Sequence, residues 1–190
     1  MKAIIFDCFG VLVRGSLEEF RAEYLGDDVA KQTQMHDLDA AANRGVISYD
    51  EFIDKAAELA GIEPSQVRKF LDNTPPNKAL LGHIRNQLKP DYKIGMLSNA
   101  ADDWLNDLFT REEQELFDDV VLSYRYGLSK PDRRIYELAA TNLGVEPHEC
   151  IFVDDIERYC EAAREVGMQA IQFRTTEQVI HDIANLLRRQ

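Results

Sequence analysis

Five short apolar runs, each closed by polar or small residues, constrain this chain more than any other feature: Ala3 to Phe6, Ile94 to Leu97, Val120 to Leu122, Ile151 to Val153 and Ala170 to Phe173. A short apolar run without polar alternation reads as a strand buried on both faces. Helical spacing fills the gaps between the later runs. It is carried by Ile135, Leu138, Ala139 and Leu143 after Pro131, then by Ile156, Tyr159, Cys160, Ala163 and Val166, and finally by Val179, Ile180, Ile183, Leu186 and Leu187. Strand alternating with helix predicts an α/β fold, a doubly wound parallel sheet covered on both faces.

The alternation breaks once. From Ser16 to about Leu88 there is no convincing strand, and the spacing predicts helices over Leu17 to Tyr24, Asp28 to Ala42, Tyr49 to Ala60 and Pro64 to Leu71. Ser48 and Glu51 fit a capping box, and Thr74 to Asn77, with two prolines between, fits a return connection. The expected organisation is a core of residues 1–14 and 89–190 with a small helical cap at 15–88. A chain of 190 residues suits one domain with a modest insertion. No internal repeat interrupts this pattern.

Composition narrows the function classes. A formal charge of −12 disfavours nucleic acid and anionic membrane surfaces, which reward lysine and arginine. No apolar run approaches the roughly 20 residues of a membrane helix, and Asp7 interrupts the N-terminal segment where a signal peptide would stay apolar. A cytoplasmic protein, monomeric or homodimeric, is expected. Cys8, Cys150 and Cys160 have neither the number nor the spacing for a disulfide framework or a zinc site and read as buried thiols.

In open α/β sheets ligands bind beyond the carboxyl ends of the strands, so the polar residues closing the runs are the candidates for chemistry. These are Asp7, Ser98 with Asn99, Lys130 before Pro131, and Asp154 with Asp155. Three carboxylates converging on one rim would repel one another unless a divalent cation offset them, and hard oxygen donors suit Mg²⁺. The Lys130 ammonium and the Ser98 hydroxyl suit the oxygens of a phosphoryl group or another anion. Asp7 is then placed to attack, forming an aspartyl-phosphate that water hydrolyses.

The segments FDCFGVL around Asp7, MLSNA around Ser98, Lys130-Pro131, and FVDD at Asp154 and Asp155 appear in that order. Together they resemble the motifs of the haloacid dehalogenase superfamily of hydrolases, most closely its phosphatase-like members with a small helical cap after the first strand. The resemblance spans the chain and implies a Rossmann-like core acting on a small phosphorylated metabolite. It also implies that Asp7 is the nucleophile, that Ser98 and Asn99 grip the phosphate, and that Lys130 steadies nucleophile and transferring group. Asp7, Asp154, Asp155 and the main-chain carbonyl of Phe9 would hold Mg²⁺.

Phe9 departs from that pattern, because phosphatases of the family usually carry there a second aspartate that protonates the leaving alcohol and activates water. Losing such a group costs about 10²–10⁴ in rate. An aromatic residue at this position resembles the dehalogenase branch, so hydrolysis of a small 2-halo acid is an alternative, with Arg14 and Arg21 as candidate anion binders. A third reading is a catalytically silent fold that binds a phosphorylated ligand or a protein. Taken singly, each signal also has a plain structural explanation: Asp7 as a turn cap, Asp154 and Asp155 as an N-cap pair, Lys130 as a solvated lysine. Arg44 and Tyr49 could touch substrate from the cap. His36, His83, His148 and His181 lie away from the motifs and read as surface or core residues.

Overall fold

The computed structural model of the chain describes residues 1–188. Five strands, β1 (Ala3–Phe6), β2 (Lys93–Ser98), β3 (Asp119–Leu122), β4 (Cys150–Asp154) and β5 (Gln169–Gln172), pair in parallel in the order β3-β2-β1-β4-β5. In chain order the helices are α1 (Leu17–Tyr24), α2 (Val29–Asn43), α3 (Tyr49–Ala60), α4 (Pro64–Leu71), α5 (Lys78–His83), α6 (Leu105–Leu108), α7 (Arg111–Gln114), α8 (Arg133–Asn142), α9 (Glu157–Glu165) and α10 (Thr176–Arg188). This is the doubly wound α/β architecture that the alternation predicts. The chain moves outward from β1 to β3 and returns to the other side of β1, which puts a switch point between β1 and β4.

Strands β1 and β4 are buried along their whole length, because both faces of the sheet are covered. Ile4, Phe6, Ile94, Met96, Ile151 and Val153 face Leu80, Ile84, Val179 and Ile183. Ala3, Ile5, Leu97, Val121 and Phe152 face Ile135, Tyr136, Ala139 and Ala163. The two-residue period of a strand divides one apolar run between two cores. Gly95 lets Leu143 approach β2 closely, since a Cβ there would lie 2.9 Å from Leu143 Cδ1.

A third core belongs to the helical insertion and gathers Phe20, Met35, Phe52, Ile53, Ala56, Val67 and Leu71. Residues 78–88, expected within the cap, pack instead on the sheet: Leu80, Leu81, Ile84 and Leu88 join the cluster of Ile4 and Phe6. Their periodicity marks a helix with one apolar face, and periodicity alone does not say which surface that face meets. Here α5 continues as a π-helical turn over Ile84–Leu88. The expected capping box at Ser48 is half formed, with Ser48 Oγ accepting from the Glu51 N–H at 3.1 Å while Glu51 pairs one turn on with Lys55 at 3.6 Å.

The insertion is tied to the core by two adjacent connections and seated on the loops beyond the strands. Arg14 N–H donates to the Pro75 carbonyl and Asn77 N–H to the Leu12 carbonyl, at 3.1 and 2.8 Å. The Ser123 hydroxyl, just past β3, donates to the Asn43 carbonyl of α2 and accepts from Ala100 N–H at 2.9 Å. Ala101, beyond β2, packs into the insertion's core. The helical unit therefore sits over the same rim on which the candidate residues end. Among the described residues no helix is long and apolar enough to cross a membrane.

Candidate active site

Register explains why the separated motifs meet. Phe6 is opposite Val153 on β4 and Met96 on β2, so one residue further Asp7 lies beside Asp154, with Ser98 one residue along the neighbouring strand. Asp7 N–H donates to the Val153 carbonyl at 2.8 Å, continuing the ladder to the rim. Asp7, Ser98, Lys130 and Asp154 are all buried, in a chain whose other lysines and aspartates are mostly exposed.

Lys130 is the centre of the arrangement. Its Nζ lies 2.7 Å from Asp7 Oδ1 and 2.6 Å from Asp154 Oδ2, and it faces the rings of Tyr159 and Phe152 at 5.1 and 5.6 Å. The Lys130–Pro131 peptide is cis. Burial works against the ammonium, yet the two carboxylates outweigh it and hold the lysine charged, well above the ordinary range. Asp154 uses its other oxygen, Oδ1, to accept from Ile156 N–H at 2.9 Å, so it orders the start of α9 even though Ile156 is the N-cap.

Asp155 differs from its neighbour. Its Oδ1 is buried and has no hydrogen-bond partner among the described residues. Its carboxylate lies against the backbone of Gly10, where φ is +90° and a Cβ would fall 2.4 Å from Asp155 Oδ2. Glycine is required there twice over, for the backbone angle and for the space. A bare buried carboxylate oxygen costs several times what an ordinary hydrogen bond contributes, and such an atom calls for a partner.

Asp7, Asp154 and Asp155 each offer an oxygen, and the three oxygens lie within 4.8 Å of one another. With every group ionised, three carboxylates and one ammonium leave two negative charges without a counterion. Burial, with Asp154 and Asp155 nearby, pushes Asp7 up to about 8 despite Lys130, and burial with Asp154 pushes Asp155 up to about 6. A divalent cation bound by hard oxygens removes both the charge excess and the orphaned atom, and the donor set fits Mg²⁺.

Ser98 Oγ donates to the neighbouring Asn99 carbonyl at 3.2 Å. The Asn99 amide is committed to Lys130: Oδ1 accepts from Lys130 N–H at 2.8 Å and Nδ2 donates to the Lys130 carbonyl at 3.1 Å. Tyr159 joins this network, its hydroxyl accepting from Asn99 Nδ2 at 3.3 Å. In the sequence Tyr159 stands only among the apolar-face positions of α9. An aromatic five residues after Asp154, on the turn of helix facing the lysine, was the signal available.

Phe9 is partly buried and meets Trp104 edge to face at 5.0 Å, above the sheet face that carries Phe6 and Met96. Trp104 Nε1 is buried without a hydrogen-bond partner among the described residues. The candidate cap arginines are engaged elsewhere: Arg14 pairs with Glu19, and Arg21 with Glu18 and Gln32. Tyr49 donates to Asp72 Oδ1 at 2.9 Å beneath Arg68, while Arg44 is exposed at the end of α2.

Fold and site together define a doubly wound α/β hydrolase with a lysine-bridged acidic centre on the rim of its sheet. The chain belongs to the haloacid dehalogenase-like hydrolase family, whose profile matches residues 1–167. It is 27% identical over 215 positions to bifunctional epoxide hydrolase 2 of Sus scrofa, an alignment covering 96% of this chain and 38% of that protein, so it spans well under half the relative's length. It is also 27% identical over 180 positions to a sesquiterpene phosphatase of Aspergillus oryzae, covering 88% of this chain and 87% of that one. A HAD family enzyme of Bacteroides thetaiotaomicron, solved with magnesium and inorganic phosphate, shares the fold with a TM-score of 0.73 at 23% identity, covering 92% and 94% of the two chains.

Proposed function

We propose that this chain is a Mg²⁺-dependent phosphatase that transfers the phosphoryl group of a small phosphorylated metabolite first to Asp7 and then to water. The observation that carries the reading is Lys130 bridging Asp7 and Asp154 beside the partnerless oxygen of Asp155. The phosphatase among its relatives and the magnesium and phosphate in a structure of the same fold support it. The acidic surface is in keeping with a free cytoplasmic enzyme rather than one acting on nucleic acid.

Asp7, Asp154, Asp155 and the Phe9 carbonyl would hold Mg²⁺, which when bound supplies positive charge against the carboxylates and the phosphoryl oxygens. An Asp7 carboxylate oxygen attacks phosphorus as the ester P–O bond breaks, and the leaving oxygen departs with the bonding electron pair. Lys130 balances charge on the transferring group, and Ser98 and Asn99 border the side of β2 on which its oxygens would rest. The side chain of Phe9 carries no exchangeable proton, so the leaving group must depart as its anion or take a proton from water, and water must attack the aspartyl-phosphate without a side-chain base at position 9. The helical unit above the rim would shield the intermediate and select the substrate.

The test is acid-quenched labelling with p-nitrophenyl phosphate, in Mg²⁺ and in chelator. Mass spectrometry is expected to find one phosphoryl group on Asp7 in Mg²⁺ alone, and none in Asp7→Asn. Turnover that survives Asp7→Asn, or labelling of another residue, would overturn the reading. The packing of Phe9 against Trp104 favours one second reading, a fold that binds phosphate without turning it over. Saturable phosphate binding with no label on Asp7 would identify that case.

A further inference from the structure

Lys130 is held from three directions, and only one of them is the catalytic carboxylates. Its main chain is gripped on both sides by the Asn99 amide, at 2.8 and 3.1 Å. The hydroxyl of Tyr159 accepts from that amide at 3.3 Å and from Arg158 at 3.0 Å, so it fixes the orientation of the clamp. The same Tyr159 ring lies 5.1 Å from the ammonium, on a backbone whose carbonyl accepts from the buried Tyr136 hydroxyl at 3.0 Å. One side chain of α9 thus reaches the lysine at both ends.

The bridge between Asp7 and Asp154 is symmetric only while both carboxylates carry charge. Transfer of a phosphoryl group to Asp7 turns one carboxylate into an ester, and a flexible lysine would then be drawn wholly to Asp154. A ring face under the ammonium, together with a clamped main chain, opposes that shift. We propose that Tyr159 is a positioning residue that, through Asn99 and through its own ring, keeps the Lys130 ammonium over Asp7 during phosphoryl transfer. The proposal rests on the phosphotransfer reading.

The experiment is a double-mutant cycle of Tyr159→Phe and Lys130→Met, read on turnover of p-nitrophenyl phosphate and on calorimetric affinity for inorganic phosphate in Mg²⁺. Tyr159→Phe keeps the ring and removes one hydroxyl network, so turnover or affinity is expected to fall about three- to tenfold with little change in melting temperature. In the Lys130→Met background the same change is expected to have no further effect, because a residue acting through Lys130 has nothing left to position. Asn99→Ser, which leaves the α9 core untouched, is expected to couple to Lys130 in the same way. Equal losses from Tyr159→Phe in both backgrounds, or no loss in either, would make Tyr159 a core filler and overturn the proposal. If Lys130→Met itself leaves turnover and phosphate affinity unchanged, it is the phosphotransfer reading that fails.

Discussion

Replacing Phe9 with aspartate puts a proton carrier at the one rim position where the chain lacks it. The structural cost follows from what Phe9 touches. Its edge-to-face contact with Trp104 at 5.0 Å contributes about 0.5–1.5 kcal/mol, and the half-burial of its ring roughly another 1–2 kcal/mol. A loss of about 2–3 kcal/mol lowers the melting temperature by roughly 5–10 °C in a chain of this size and leaves it folded. Part is recovered if the new carboxylate accepts from Trp104 Nε1, which is buried without a partner among the described residues. The kinetic gain is larger, since a positioned acid and base contributes about 10²–10⁴ in rate. With p-nitrophenyl phosphate the leaving group departs unaided, so the wild type is expected to release a burst of product approaching one equivalent of enzyme and then stall at the aspartyl-phosphate. Phe9→Asp is expected to abolish the burst and raise the steady rate by about 10²–10⁴. With an alkyl phosphate the wild type gives no burst, and the variant gains in the first step as well. Rapid-quench and steady-state measurements on both esters check this. A wild type that hydrolyses both at similar rates without a burst would refute the reasoning, as would a folded, Mg²⁺-binding variant that is no faster.

Two further outcomes follow from other parts of the molecule. Asp155→Asn removes the charge of a half-buried carboxylate, one oxygen of which is buried without a partner among the described residues, so in chelator it is expected to melt higher than wild type by the equivalent of about 1 kcal/mol. In Mg²⁺ the order should reverse. Wild type saturated at a hundred times the dissociation constant gains about 2.7 kcal/mol, and an undiminished Mg²⁺ response in Asp155→Asn would remove it from the ligand set. At the start of α7, Glu113 accepts from Lys78 at 2.7 Å and from Thr110 N–H at 3.0 Å. Burial raises its carboxyl, but the Lys78 and Thr110 bonds outweigh burial and hold it below the usual glutamate range. A depressed carboxylate stabilises the fold above its unfolded value and loses that contribution as pH falls. Glu113→Gln is therefore expected to cost about 1 kcal/mol at neutral pH, with the difference closing below about pH 4.5; a pH-independent difference in denaturant midpoint would contradict it.

How much of this was legible in the sequence depends on the range of the interaction. The strands were, because a run such as Ala3–Phe6 is buried on both faces and needs no partner to be recognised, and β5 was misplaced by one residue only. Helices α6 and α7 were missed although Thr110 and Glu113 form a capping box whose spacing stands in the sequence. The fate of residues 78–88 was not legible, since an amphipathic helix docks wherever a complementary face lies, and here that face is the sheet. The acidic centre was legible as a set of strand ends, for in a parallel sheet register alone brings Asp7 beside Asp154.

The unequal use of the acidic centre's members was hidden. Asp154 has both oxygens engaged and Asp155 has one bare, and although one bond of Asp154 is the local one from Ile156 N–H, the other comes from Lys130, and Asp155 is set against the backbone of Gly10, both far away in the chain. Asn99 likewise reads as a phosphate ligand by its place after Ser98, whereas its amide is spent on a main chain 31 residues further on. Motif order therefore fixes which residues share the rim, and long-range hydrogen bonds decide what each is free to do there. On that basis the side chains still able to change partner during a reaction are those of Asp7, Ser98 and Asp155, with Lys130 held in place between Asp7 and Asp154.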